Sequence, residues 1–176
     1  MAGHTIKEAK GAPAFRLKYK GIFDYNKIAT FIIEWMKNRH FDLNEAIHKH
    51  KMSCPHGFEI ERTIEGERKI SDFYKYKVTA EIHMWDAFEV DAVKDGKKVK
   101  LWNARVEIAL GFEVVCDYSG KYETSEFMEK LRNFYCEYII KKEIIIRHAD
   151  SLYYKLLSLH TALKKMLDME TATVFR

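Results

Sequence analysis

His48, His50, Cys54 and His56 form the densest set of potential metal ligands in this chain of 176 residues. On a strand His48 and His50 share one face, and the turn signal Ser53-Cys54-Pro55-His56-Gly57 would bring a thiol and a third imidazole back toward them. Three or four nitrogen and sulfur ligands suit zinc or another borderline metal, which would make the chain a metal-dependent hydrolase. The spacing matches no standard zinc module, and Lys49 and Lys51 oppose cation binding, so a solvated, His-rich strand and loop is the competing reading. His83 is the second candidate. Glu81 and Trp85 share its strand face, and a carboxylate beside an imidazole can tune a general base. An ordinary polar strand face has the same pattern. Cys116 and Cys136 fall on apolar faces and read as core. The chain contains no nucleophile elbow, phosphate-cradling glycine loop, zinc helix of the His-Glu-x-x-His type or dinucleotide fingerprint, so no cofactor is indicated and catalysis is the weaker expectation.

Composition sets the background for these side chains. With 47% hydrophobic residues, 14% aromatic and a net charge of +4, the chain can bury a core without disulfides. No run of about 18 uncharged apolar residues exists to span a membrane. Three widely spaced cysteines and a start without an apolar stretch point to a reducing, cytoplasmic setting. Lysines alternate at Lys18 and Lys20, Lys49 and Lys51, Lys75 and Lys77, and Lys98 and Lys100. Aligned on one sheet face near Trp85 they would meet RNA phosphates or anionic headgroups. Glu59, Glu61 and Glu81 share that face and dilute its potential, which disfavours nucleic acid and the membrane surface as partners.

The elements follow from hydrophobic periodicity. Residues 1–13 read as a loose leader. Phe15, Leu17 and Tyr19 alternate with Arg16, Lys18 and Lys20, predicting a strand, and Asp24 can cap a helix from about Tyr25 to Asn38. Residues 40–51 are weakly patterned and extended. Phe58–Ile64 reads as a strand that Glu65-Gly66-Glu67 would turn. Tyr74–Met84 alternates most clearly, and Asp95-Gly96 signals a hairpin into a strand carrying Trp102, Ala104, Val106, Ile108 and Leu110 on one face. Gly111 is placed as a bulge. The fold class is α+β: an antiparallel sheet of five to seven strands, a short helix after strand 1 and a long C-terminal helix or helix pair, in a helix-grip-like arrangement.

From Ser125 to Glu170 the period is helical. Leu131, Tyr135, Tyr138, Lys142, Ile145, Ala149, Leu152, Leu156, Leu159, Leu163 and Met166 are spaced in alternating threes and fours, a heptad-like seam interrupted only by Lys142. One unbroken helix of this length would be roughly 69 Å long. A strand of ten residues spans only about 33 Å. Either the helix breaks near His148-Ala149-Asp150-Ser151, giving two helices over about 125–147 and 151–169, or its distal half projects and needs a partner. The two-helix reading is preferred, and residues 151–176 are a C-terminal helical extension of the domain of residues 14–150.

Arg68-Lys69, Trp85-Asp86, Asp95-Gly96-Lys97-Lys98, Ile139-Ile140-Lys141-Lys142, Leu152-Tyr153-Tyr154-Lys155 and Leu167-Asp168-Met169-Glu170-Thr171 give the chain a resemblance to a group of small hypothetical archaeal proteins. The group has no established activity. The resemblance therefore implies an archaeal, cytoplasmic or membrane-adjacent setting and no functional residues. On the residues themselves, the leading expectation is a non-catalytic interaction protein. It would self-associate, or meet another protein, through Leu152, Leu156, Leu159, Leu163 and Met166. The alternative is a carrier of a small apolar ligand or lipid in a cavity between sheet and final helix, lined by Tyr19, Tyr76, Trp102 and Phe112 with Phe15.

Overall fold

The computed structural model describes residues 4–7, 14–53, 57–94 and 97–169. In chain order these form strands β1 (His4–Lys7) and β2 (Phe15–Phe23), helix α1 (Tyr25–Lys37), and strands β3 (Asp42–Ser53), β4 (Gly57–Lys69), β5 (Tyr74–Lys94) and β6 (Lys97–Cys116). The C-terminal segment holds α2 (Glu126–Phe134), a π-helical stretch (Tyr135–Ile139), the short α3 (Lys141–Glu143), a second π-helical stretch (Ile144–Ala149) and α4 (Asp150–Met166). All strand pairs are antiparallel, in the order β1-β6-β5-β4-β3. Strand β2 pairs with β6 at residues 102–110, and β1 with the same strand at 113–116, so the two lie end to end along one edge. The expected leader thus contains a strand.

Period-2 alternation sorts the sheet into two faces. Leu17, Ile60, Ile64, Val78, Ala80, Ile82, Met84, Val106, Ile108, Leu110 and Val114 point inward and are buried. Helix α1 covers one part of that face with Ile28, Ile32, Trp35 and Met36, and the Asp24 carboxylate caps it by accepting the Lys27 N–H at 3.0 Å. Gly66 makes no turn. It sits inside β4, paired with Leu43 and Val78, where a Cβ would stand 3.2 Å from Met36 Sδ and Phe41 Cβ; its bareness lets α1 approach the sheet. Gly111 pairs regularly with Thr79, and the bulge lies instead between Trp85 and Phe88, where Asp86 takes a φ of 52°. The hairpin residues Asp95 and Gly96 lie outside the described residues, and the ladder flanking them closes at Lys94 and Lys97.

The C-terminal segment departs most from expectation. The helix runs straight through the predicted break: Ala149 and Asp150 both have ordinary helical dihedrals. It bends instead at Ile140 (φ −102°, ψ 5°), between the π-helical stretches. Helix α4 packs on β2, β6 and α1. Leu152, Leu156, Leu159 and Leu163 are at most 1% exposed and belong to the same core as the sheet, while Met166 is half-buried against it. These five residues, expected to meet a partner, are therefore occupied within the chain. The reason is strand length. Strand β5 has 21 residues, not ten, and at about 3.3 Å per residue its contour matches the entire helical segment. Helix α4 is covered by β2, β6 and α1 of its own chain.

Leu156→Ala and Leu159→Ala test this assignment. Each should lower the unfolding free energy by about 3 kcal/mol through a cavity in the core, with no change of mass in a native mass spectrum. Loss of assembly at unchanged stability would return these leucines to an interface.

Candidate functional site

Helix α2 begins at Ser125, whose hydroxyl accepts the Met128 N–H at 3.3 Å. From there to Leu152 the buried positions are Arg132, Cys136, Ile140, Ile144, Ala149 and Leu152. From Arg132 to Ala149 their spacing is mostly four, once five, or about 4.3 residues per turn, wider than an α-helix. The π-helical stretches supply the extra residues. They carry the expected heptad seam off the core: Leu131, Tyr135, Tyr138 and Ile145, all members of that seam, are exposed. Phe127, Phe134, Ile139 and Ile146 join them, and the Phe134 and Tyr138 rings stack at 5.1 Å.

Beside this band lies a cleft of about 640 Å³ between the start of β5 and the helical segment, walled by Phe73, Tyr74, Tyr122, Leu131, Arg132, Phe134, Tyr135, Ile139, Ile140 and Glu143. Its buried surroundings are rigidly paired. Arg132 Nη1 lies 3.4 Å from Asp117 Oδ2 and 3.2 Å from Glu123 Oε1. Asp117, at a φ of 53°, also accepts the N–H groups of Lys121 and Tyr122. The thiols of Cys116 and Cys136 are fully buried and hydrogen-bonded to each other. That bond, then burial, holds Cys116 protonated above the ordinary thiol range. Burial first, then the neighbouring Cys116 and Glu143, pushes the Tyr74 phenol up to about 12. The cleft therefore presents neutral ring faces and aliphatic carbons, with its charges already matched.

A second cleft, of about 460 Å³, is walled by Lys18, Tyr19, Lys20, Trp85, Arg105, Val106 and Glu107. Near it His83 meets a carboxylate, but from Glu59 on β4 at 2.7 Å rather than Glu81, and its ring lies 3.9 Å from that of Trp85.

The expected ligand residues do not converge on one cavity. Tyr76 and Phe112 are core side chains, each 7% exposed, and Trp102 is half-buried against the core. Phe15 packs on Tyr153 and His160 of α4, and Tyr19 belongs to the second cleft. His48 and His50 lie on β3, registered with Arg62 and Ile60. Their side chains, and all of Cys54 and His56, lie outside the described residues. Among the described residues no three His, Cys, Asp or Glu side chains are grouped to hold a metal. No described helix is long and apolar enough to cross a membrane. Cys136 is buried as expected; the residues that spacing missed are Arg132, Ile140 and Ile144, and the lysine at position 142 of the supposed seam was the visible sign of a different phase. Comparison with protein-family models, with curated proteins and with solved structures returned no match.

Two half-buried histidines of the helical segment pack against aromatic side chains of the sheet. The Tyr76 hydroxyl lies 2.7 Å from His148 Nδ1, and His160 stacks on Phe15. Burial pulls both imidazoles below their ordinary 6.5. Such groups stabilise the folded state above 6.5, and that contribution is lost as pH falls through the lower folded value. The thermal midpoint should therefore drop as pH falls from about 7 to about 5. His148→Phe with His160→Phe should flatten the slope; an unchanged slope would assign it to other groups.

Proposed function

We propose that this is an interaction and assembly protein whose second copy docks on the exposed apolar band of α2 and the π-helical stretches. One observation carries the reading. Phe127 and Tyr138 are each 72% exposed, Ile146 66%, Ile139 60% and Phe134 53%, all on one short helical segment. Monomers seldom leave so much contiguous aromatic and aliphatic surface in water, and aromatic side chains are enriched where proteins meet.

Charge favours a second copy of the chain as the occupant. Glu129 stands in the first turn of α2, and Lys141 and Lys142 lie toward the other end of the band, while Glu126 and Arg147 are already paired within the chain with Lys130 and Glu143. An antiparallel two-fold pairing sets the acidic end of one copy against the basic end of the other, as an isologous contact requires. The segment responsible is the first half of the C-terminal helix rather than the leucine stripe of α4.

Sedimentation of untagged full-length protein should give twice 20.8 kDa. Phe127→Glu with Tyr138→Glu should give a monomer of unchanged thermal midpoint, because both side chains are solvent-facing. A wild-type monomer persisting to millimolar concentration would sink the proposal.

The aromatic cleft supports a second reading, the carriage of a small apolar ligand. Its volume falls within the range of about 300–1,000 Å³ that suits small molecules. An apolar fluorescent probe should bind the native protein, be displaced by lipid extract, and lose most of its affinity on Leu131→Lys. Failure of the probe to bind would remove this reading.

A further inference from the structure

The outer face of the sheet is a mosaic of charges in which cations are set against carboxylates. Lys49 lies 3.9 Å from Glu61, Lys75 3.1 Å from Glu67, Lys77 3.2 Å from Glu65, and Arg16 and Lys18 share Glu107 at 3.0 and 3.3 Å. Among the described side chains two rows set cation against cation: Lys69 on β4 is registered against Lys75 on β5, which Glu67 answers, and the other row lies at a cleft. Lys20 on β2 is registered directly against Arg105 on β6, which is registered in turn against Trp85 on β5. Like charges directly opposite each other on neighbouring strands repel. Arg105 is answered by Asp86, whose Oδ2 lies 2.7 Å from both its Nε and its Nη2. Lys20 has no carboxylate partner among the described residues.

This row lies in the cleft of about 460 Å³, where Trp85 is half-buried and the His83 ring holds its indole from one side. Two strand spacings of about 4.8 Å separate Trp85 from Lys20, roughly 10 Å in all. We propose that this cleft binds a nucleoside diphosphate, its base against Trp85 and its phosphates on Lys20 and on Arg105 Nη1, the guanidinium nitrogen not engaged by Asp86. The separation is more than a bare phosphate needs and suits a base carried on a sugar with two phosphates. A phosphate at this end relieves the Lys20–Arg105 repulsion. Glu107, in the adjacent row and already holding Arg16 and Lys18, keeps the anion away from the Lys18 side. Base stacking on an aromatic ring is lost when the ring is truncated, so Trp85 should matter as much as the cations.

Calorimetric titration of the full-length protein with ADP and, separately, with inorganic pyrophosphate tests the assignment. ADP should bind. Lys20→Glu should weaken both ligands about tenfold, and Trp85→Leu should weaken ADP about tenfold while leaving pyrophosphate unaffected. Lys20→Gln, at an exposed side chain, keeps the test available if the Trp85 variant does not fold. A short oligoadenylate that binds more tightly than ADP and is lost in the same variants would give a nucleic-acid strand as the source of the same base-and-phosphate chemistry. Oligoadenylate binding no tighter than ADP would give the free nucleotide. Absence of ADP binding at millimolar concentration, pyrophosphate binding as tight as ADP, or binding indifferent to both substitutions would overturn the proposal.

Discussion

The contact from which the other elements take their positions is the burial of Leu152, Leu156, Leu159 and Leu163 against the inner face of the sheet. A helix of 17 residues is marginal alone in water, and the apolar inner face of the sheet must be covered. Each leucine contributes about 2 kcal/mol when removed from water, so the stripe is strong enough to order both partners. Once α4 is seated, β2 is held by Phe15 against Tyr153 and His160, and α1 closes the remaining core across Gly66.

That anchoring constrains what precedes it. The chain must travel from Cys116, at the end of β6, back to the start of α4 while keeping one face on the sheet. The first half does so with two π-helical stretches and a bend at Ile140, which place Arg132, Cys136, Ile140 and Ile144 inward in place of the heptad positions. Wide helical turns carry poorer hydrogen bonds and are rare, and they persist most often where function requires them. Here they achieve two things together: Arg132 reaches buried Asp117, and a row of aromatic and aliphatic side chains is turned to solvent. In a regular α-helix the same sequence would bury Leu131, Tyr135 and Tyr138 and leave Asp117 without its guanidinium.

The sheet was legible in the sequence because strand burial has a period of two and tolerates no drift. Tyr74 to Met84 alternates as read, and Asp24 caps α1 as read. Three features escaped for physical reasons. The pairing of β1 with Glu113–Cys116 is a long-range contact that no local pattern carries. The bulge at Asp86 depends on a φ of 52° that a non-glycine residue adopts under tertiary constraint. The phase of the C-terminal helix was lost because Ile139-Ile140 and Ile144-Ile145-Ile146 are apolar on several faces at once, so heptad counting and a wider period fit almost equally well. Only Lys142 argued against the heptad. The candidate sites were less legible than the fold, since both clefts depend on residues brought together by register rather than by spacing.

Register also decides which charges matter. Lysines at alternate positions in several strands suggest a basic surface when counted along the chain. Across the strands, most face a carboxylate from the neighbouring strand and cancel within about one strand spacing. The mosaic suits a face that needs no partner, and it discourages pairing through the exposed edges. An excess that survives such cancellation is therefore more informative than the net charge of +4. It survives at Lys20 and Arg105, where two cations are registered against each other beside a half-buried indole. The apolar band lies on the C-terminal helical segment and this row on the outer strand face, so their chemistries separate cleanly: one offers surface that water disfavours, the other charge that the sheet does not neutralise.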